Sequence, residues 1–506
     1  MTARSYRSPR SPTVALAGGV LLLSACEVEP PPLQTDAMPE EARTIDTPAY
    51  FVPKALDAQG EPVFDPDGLR FRDQIHVMHA IAEVGALSRD SELGHEDFRP
   101  DLAEEPMRAR GELWLDLIDH LQETFEEDGA WSPHVVETPE GWVAAGTPVL
   151  ADYAQGVYTY QTHHRSGRWA QHGLEDDMIH RPAFFTTAPG TYLLGEHYED
   201  GRFFADPERM SYDHESMANG VASLHAHIYA WVRREKPGGQ DDHGEIDEER
   251  MLTWMEYGPQ DLVEVARELD STLDDAWDPD LGAYSFGEDA GQEVTYSIES
   301  VGALLRGKQA LVDVLYIFGD DPDEERAQRL FTRGTEMLRP TLELTEPWGL
   351  PAQVNYTADG VEPGDEAVDV GSTWSFVHHL VGGYSYTREQ DETAQLLRTE
   401  APELLEEIGR RTDTLLEGAL EHQLQDGTVV ATLDYETGET LERGPTAEAV
   451  SFFILGAGNA YGLGNAFSSP DDWDGGDVEE KSRALYTALA EHGDLLQESF
   501  LLEGRP

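Results

Sequence analysis

Among its 506 residues the chain has a single cysteine, Cys26. An intramolecular disulfide is therefore excluded, and a zinc site would have to be built from His and carboxylate ligands alone. Positive charge is also scarce: 35 Lys and Arg stand against 99 Asp and Glu, for a formal net charge of −64. Such a surface repels phosphate backbones, which argues against nucleic acid as a partner. The acidic residues are spread along the chain and not gathered in a tail, so the excess reads as an adaptation to salt, where screening removes the self-repulsion. Nucleotide and serine-hydrolase signatures are missing too. GALLRGKQ at 302–309 has Gln309 where a phosphate-binding loop needs Ser or Thr, and it lies inside an apolar helical segment. GAGNAYG at 456–462 lacks the third glycine of a dinucleotide fingerprint, and no GxSxG occurs.

What is present begins with a targeting signal. Arg4, Arg7 and Arg10 precede the apolar run TVALAGGVLLLSA, too short for a membrane span, which ends in Leu23-Ser24-Ala25-Cys26. These last four residues resemble the bacterial lipobox, in which the thiol receives the lipid. Residues 1–25 are thus expected to be a signal peptide. Residues 26–64, acidic and Pro-rich at their start, are expected to be the lipidated Cys26 and a tether, and 65–506 the folded domain. The expected location is the bacterial cell envelope, with a lipid anchor in a membrane and no spanning helix.

A repeat organises the rest. Asp-Gly or a close variant recurs at Asp67-Gly68, Asp128-Gly129, Asp200-Gly201, Asp280-Leu281-Gly282, Asp359-Gly360 and Asp426-Gly427. Such pairs mark tight turns. Between them, segments rich in small and apolar residues, such as YSIESVGALLRGKQALVDVLYIF, alternate with amphipathic ones, such as PQDLVEVARELDSTLDDAW. A helix apolar on most of its circumference needs neighbours on nearly all sides, whereas an apolar stripe fits an outer layer. The pattern predicts an all-α fold, an (α/α)6 toroid of inner and outer helices with short strands on one rim. Two separate helical domains are the alternative.

Aligning the inner helices on their starts puts His76, Asp152, Glu215, Glu299, Trp374 and Glu448 at matching points. Carboxylates in the first turn of a helix complement its dipole, which alone accounts for many of them. Recurrence in phase adds a second implication: Asp152, Glu215, Glu299 and Glu448 ring a cavity mouth, with Asp369 as a further rim acid. Glycoside cleavage uses two such carboxyls. Asp213 and His214, beside Glu215, join the candidate catalytic set. Tyr153, Tyr212, Tyr296, Trp374 and His76 are the candidate substrate-binding residues.

WDPDLGAYSF at 277–286, a helix end running into a tight turn and a short strand, resembles the hairpin units of the six-hairpin glycosidases and the N-acylglucosamine 2-epimerase-like proteins. The resemblance implies glycoside hydrolysis, elimination or sugar isomerisation at the mouth of the toroid, and a glycan as ligand. A non-catalytic receptor or assembly lipoprotein using the same cavity is the rival reading. Of the 18 histidines, 14 fall between His76 and His243, and THHRSGRWAQHGLEDDMIH holds His163, His164, His172 and His180 with Glu175, Asp176 and Asp177. The tight spacing of a metal motif is missing there, so no cofactor is expected and a divalent metal is the minor alternative.

Overall fold

The structure is a computed structural model. It describes residues 44–45, 47–87, 104–139, 141–153, 190–208, 212–225, 228, 231, 257–286, 293–381, 392–458, 460 and 478–503. The expected signal peptide, Cys26 and the His163–His180 cluster lie outside the described residues.

The chain folds as an (α/α)6 toroid. Inner helices start at Phe71, Leu150, His214, Ile298, Val370 and Ala447. Outer helical segments alternate with them at Glu104–Phe125, 190–197, Pro259–Ala276, Asp321–Glu343, Pro402–Gly418 and Val478–Leu495. Among the described helices the third inner one packs on the fourth, the fourth on the fifth, the fifth on the sixth and the sixth back on the first. The inner helices are close neighbours because their contacts are made by glycine. A Cβ on Gly307 would stand 2.4 Å from the carbonyl carbon of Val221, and one on Gly456 2.3 Å from Trp374 O. This is why the inner segments read as rich in small residues: the ring closes only where backbones can touch. The fourth inner helix packs on the fourth outer one, and Leu304, Leu311 and Leu315 of the former and Leu330, Phe331 and Leu338 of the latter are all buried.

Outer helices end in short antiparallel hairpins, Glu126–Glu127 with Ala130–Trp131, Tyr198–Glu199 with Arg202–Phe203, Trp277–Asp278 with Ala283–Tyr284, and Leu424–Gln425 with Thr428–Val429. Asp128, Asp200 and Asp426 have positive φ at the turns, the conformation their Asp-Gly pairs favour. Two of the six predicted turns are placed differently. Asp359-Gly360 closes a separate hairpin in the three-stranded sheet Val294–Ser297, Gln353–Thr357, Gly360–Pro363, and Asp67-Gly68 precedes the strand Leu69–Arg70. Asp-Gly encodes a tight turn wherever it falls, and nothing in the pair specifies its place in a repeat.

Part of the segment expected to be tether is knitted into the body. Thr44–Ile45 pairs with Gly141–Ala145, Tyr50–Phe51 with Leu502–Glu503, and Ala55–Leu56 with Pro62–Val63. The acidic, Pro-rich composition that suggested a tether belongs to the residues before 44.

Two devices aim the inner helices. The strands Leu69–Arg70, Val294–Ser297 and Ala367–Asp369 run into the first, fourth and fifth inner helices with no residue between. The first N–H of five inner helices also donates to a carbonyl of the next unit: Phe71 to Pro133, Leu150 to Ala205, Ile298 to Ala352, Val370 to Ala431, and Ala447 to Lys54. The last of these bonds closes the circle. Side chains of Ser297, Asp369 and Thr446 cap three of these helices, and Asp213 caps the third inner helix, each accepting the N–H of the residue three positions on. The second residue of each inner helix is thereby held at the strand-bearing rim.

Candidate active site

The second residues of the described inner helices include Arg72, Glu215, Glu299, Gly371 and Glu448. Arg72 is the hub. Its Nε lies 3.7 Å from Asp152 Oδ1. Burial works against its charge, but Asp152, Glu299, Glu448 and Asp73 outweigh that cost and hold its pKa above the usual arginine value. Acids from four units therefore act on one guanidinium.

The carboxyls around it are unlike ordinary surface acids. Burial, reinforced by Glu299 and Asp369 and opposed by Arg72, pushes Glu448 up to about 8. Asp152, only 4% exposed, is raised to about 6 by burial against the pull of Arg72. Asp73 also stands at about 6, raised by burial and restrained by Arg70, 3.8 Å away, and by Arg72. Asp369 is raised by burial even though its Oδ1 accepts the Ser372 N–H at 2.6 Å. Glu448 and Asp369 converge at Gly371, where a Cβ would lie 3.0 Å from Glu448 Cγ and 3.3 Å from Asp369 Oδ1. The arrangement places a carboxylic acid that keeps its proton at neutral pH beside carboxyls of lower pKa, the pairing that general acid/base chemistry needs.

Of the sequence candidates, Asp152, Glu299 and Glu448 are grouped around Arg72 and Asp369 is set beside Glu448. The other candidates are not in the group. Asp213 is exposed and caps the third inner helix: its Oδ1 accepts the Ser216 N–H at 2.8 Å and its own N–H donates to Ser216 Oγ at 2.9 Å. His214 accepts the Phe286 N–H at Nε2, 3.3 Å, and stands edge-on to Tyr296 and Phe286, so it braces the Phe286 segment. Glu215 holds the equivalent helix position but is exposed.

Three aromatics predicted to meet substrate are core instead. Tyr153 stacks between Trp131 and Tyr192 and its hydroxyl accepts the Trp131 N–H. Tyr296 donates to Tyr284 O at 2.9 Å, and Trp374 Nε1 donates to Gln423 Oε1 at 2.7 Å. All three are buried. His76 is buried edge-on against Phe452. Tyr212, half-buried under the Arg202 guanidinium, is the one predicted aromatic with an accessible surface.

Arg72 and Asp73 were not among the sequence candidates, and the cause is a slip of one helical turn. Aligning on His76 and Trp374 selects residues four and three positions after Arg72 and Gly371, on the same face but one turn deeper. Beginning the alignment at the end of each feeding strand gives the correct phase.

The raised carboxyls have a consequence for stability. In the folded state Asp73, Asp152 and Glu448 hold protons up to about 6, 6 and 8, well above the usual carboxylate range. Their contribution is complete at acid pH and is lost as pH rises through those values. The thermal midpoint, measured in molar salt to screen the surface, should fall between pH 5 and pH 9, and Glu448→Gln should flatten the part of the fall above pH 7.

No family model matches the chain, and no curated protein matches it at the significance required. Solved structures do. A sugar epimerase from a ruminal bacterium is similar at 8% identity over 81% of this chain and 93% of that one, with a TM-score of 0.45. A D-mannose isomerase matches at 11% identity over 83% and 94%, TM-score 0.44. An endo-β-1,2-glucanase from Talaromyces funiculosus, solved with sophorose, matches at 12% over 90% and 87%, TM-score 0.37. The similarity is one of fold. It assigns no role to any residue around Arg72.

Proposed function

We propose that the protein is a carbohydrate-processing enzyme that works by general acid/base chemistry at the rim of the toroid. The observation that carries the proposal is the grouping of Asp152, Glu299 and Glu448 around Arg72, with Asp369 beside Glu448 at Gly371 and Glu448 held protonated near neutral pH. Glu448 donates the proton to the oxygen that leaves, or that becomes a hydroxyl. A neighbouring carboxylate, Asp152 or Glu299, serves as base or nucleophile. Arg72 pairs with Asp152 and favours its ionised form against burial. Carbohydrate as the substrate class rests on the hairpin resemblance of 277–286, whose residues form the helix end, turn and strand expected of it. Phe64, 41% exposed beside the hairpin that bonds residues 445–447, and Tyr212 offer aromatic surface of the kind on which sugar rings stack. We also propose export and lipid attachment at Cys26, which would place this rim in the cell envelope.

A screen of neutral, amino and uronate oligosaccharides for binding and for new reducing ends or epimers tests the reading. Turnover by the wild type that disappears in Glu448→Gln supports it. Binding with no turnover in any class overturns the enzyme and selects a receptor. Radiolabelled palmitate incorporated by the wild type and not by Cys26→Ala would support the anchor; equal labelling would overturn it.

A further inference from the structure

The fifth place in the ring of second residues is empty of side chain. Gly371 stands where four of the other five units carry Arg72, Glu215, Glu299 and Glu448, the second unit having Ala151 there. Glycine is a poor residue inside a helix, and the backbone does not call for it here, since Gly371 is not among the residues with positive φ. The structure supplies a different reason. A Cβ at this position would meet Glu448 Cγ at 3.0 Å, Ala449 N at 3.2 Å and Asp369 Oδ1 at 3.3 Å. The missing methyl is therefore the space in which the sixth unit's acid lies against the fifth unit's cap.

We propose that Gly371 is a positioning residue: its lack of a side chain lets Glu448 lean over the start of the fifth inner helix and sit beside Asp369, so that the two carboxyls act as one pair. The proposal deepens the acid/base reading, on which its catalytic meaning rests, but the geometry is testable without turnover. The groups facing Glu448 are Glu299 from the fourth inner helix, Asp369 from the entry to the fifth, and Arg72 and Asp73 from the first. Asp369 is also under the influence of Glu442, on the far strand of the same three-stranded sheet, and accepts the Ser372 N–H of its own helix. Of these neighbours Asp369 is the one whose distance from Glu448 is set by residue 371. A side chain there wedges the pair apart and relieves the like-charge contact that favours the protonated acid.

The test is a titration of the full folded chain carrying 13C at the glutamate side-chain carboxyl, with Glu448→Gln used to assign the resonance. In Gly371→Ala the Glu448 midpoint should fall by about one pH unit, and Asp369→Asn, which keeps a capping side chain, should lower it similarly. An unmoved midpoint in Gly371→Ala, with or without a shift in Asp369→Asn, overturns the proposal. So does a loss of thermal stability in Gly371→Ala with the midpoint unchanged, since that describes packing alone. If the alanine variant does not fold, the shorter side chain of Glu448→Asp in the same chain should restore folding by vacating the contact, and failure to do so is equally fatal. A Glu448→Gln variant that keeps full turnover would sink the enzymatic reading and leave the titration result standing.

Discussion

Glu448→Gln should lower turnover of the responsive sugar by about 10²- to 10⁴-fold, the range associated with loss of a general acid, while binding persists and the fold is retained. The amide keeps the shape of the carboxyl and removes its proton. Burial and the charges of Glu299 and Asp369 hold Glu448 protonated to about pH 8, so the wild-type rate should decline on the alkaline side of that value. That alkaline limb should vanish from the residual activity of the variant. A variant retaining more than a tenth of the wild-type rate, or an alkaline limb unchanged in it, would remove Glu448 from the chemistry.

The largest effect on stability is expected at Arg72. Asp152 is 4% exposed and the Arg72 side chain 26% exposed, so the pair is shielded from water on one side only. Removing one partner of a buried ion pair strands the other, and Arg72→Met should cost about 3 kcal/mol at pH 8, the lower end for such changes because water still reaches the guanidinium. The cost depends on pH in a defined sense. With Arg72 gone, Asp152 titrates above its present value of about 6. At pH 5 it is then neutral, and most of the penalty disappears. Denaturant unfolding of wild type and variant at the two pH values checks this: an equal loss at both would mean that Arg72 contributes packing and not charge. Asp152→Asn in the Arg72→Met background should recover part of the loss at pH 8, because no carboxylate then remains at that position to be stranded.

The toroid was legible in the sequence because its cause is distributed. Small-residue inner segments and amphipathic outer ones alternate along the whole chain, and a local error in one unit leaves the alternation intact. The site was legible in part because position and depth are encoded differently. Glu299 and Glu448 announce themselves as acids in the first turn of an apolar helix. Arg72 does not, since the first inner helix also offers His76 on the same face, and only the length of the feeding strand says which turn comes first. The aromatics failed for a related reason. Tyr296 lies in the strand Val294–Ser297, where alternate residues face the core, and Trp374 is one turn below the rim. Sequence marks both as near the helix start and says nothing of which way they point. Gly371 was hidden by its own nature, because a residue whose role is to leave room has no chemistry to recognise.

The hydrogen bond from Ala447 N–H to Lys54 O has a meaning beyond architecture. Glu448 enters the ring on a helix whose first donor is held by a segment nearly four hundred residues earlier in the chain. Glu448 therefore takes its place beside Asp369 and Arg72 only when the last inner helix has met the beginning of the body. Closure of the ring is the contact that completes the acidic cluster. On the acid/base reading proposed above, a chain cut before residue 447 would lack the proton donor, so turnover would require the closed circle.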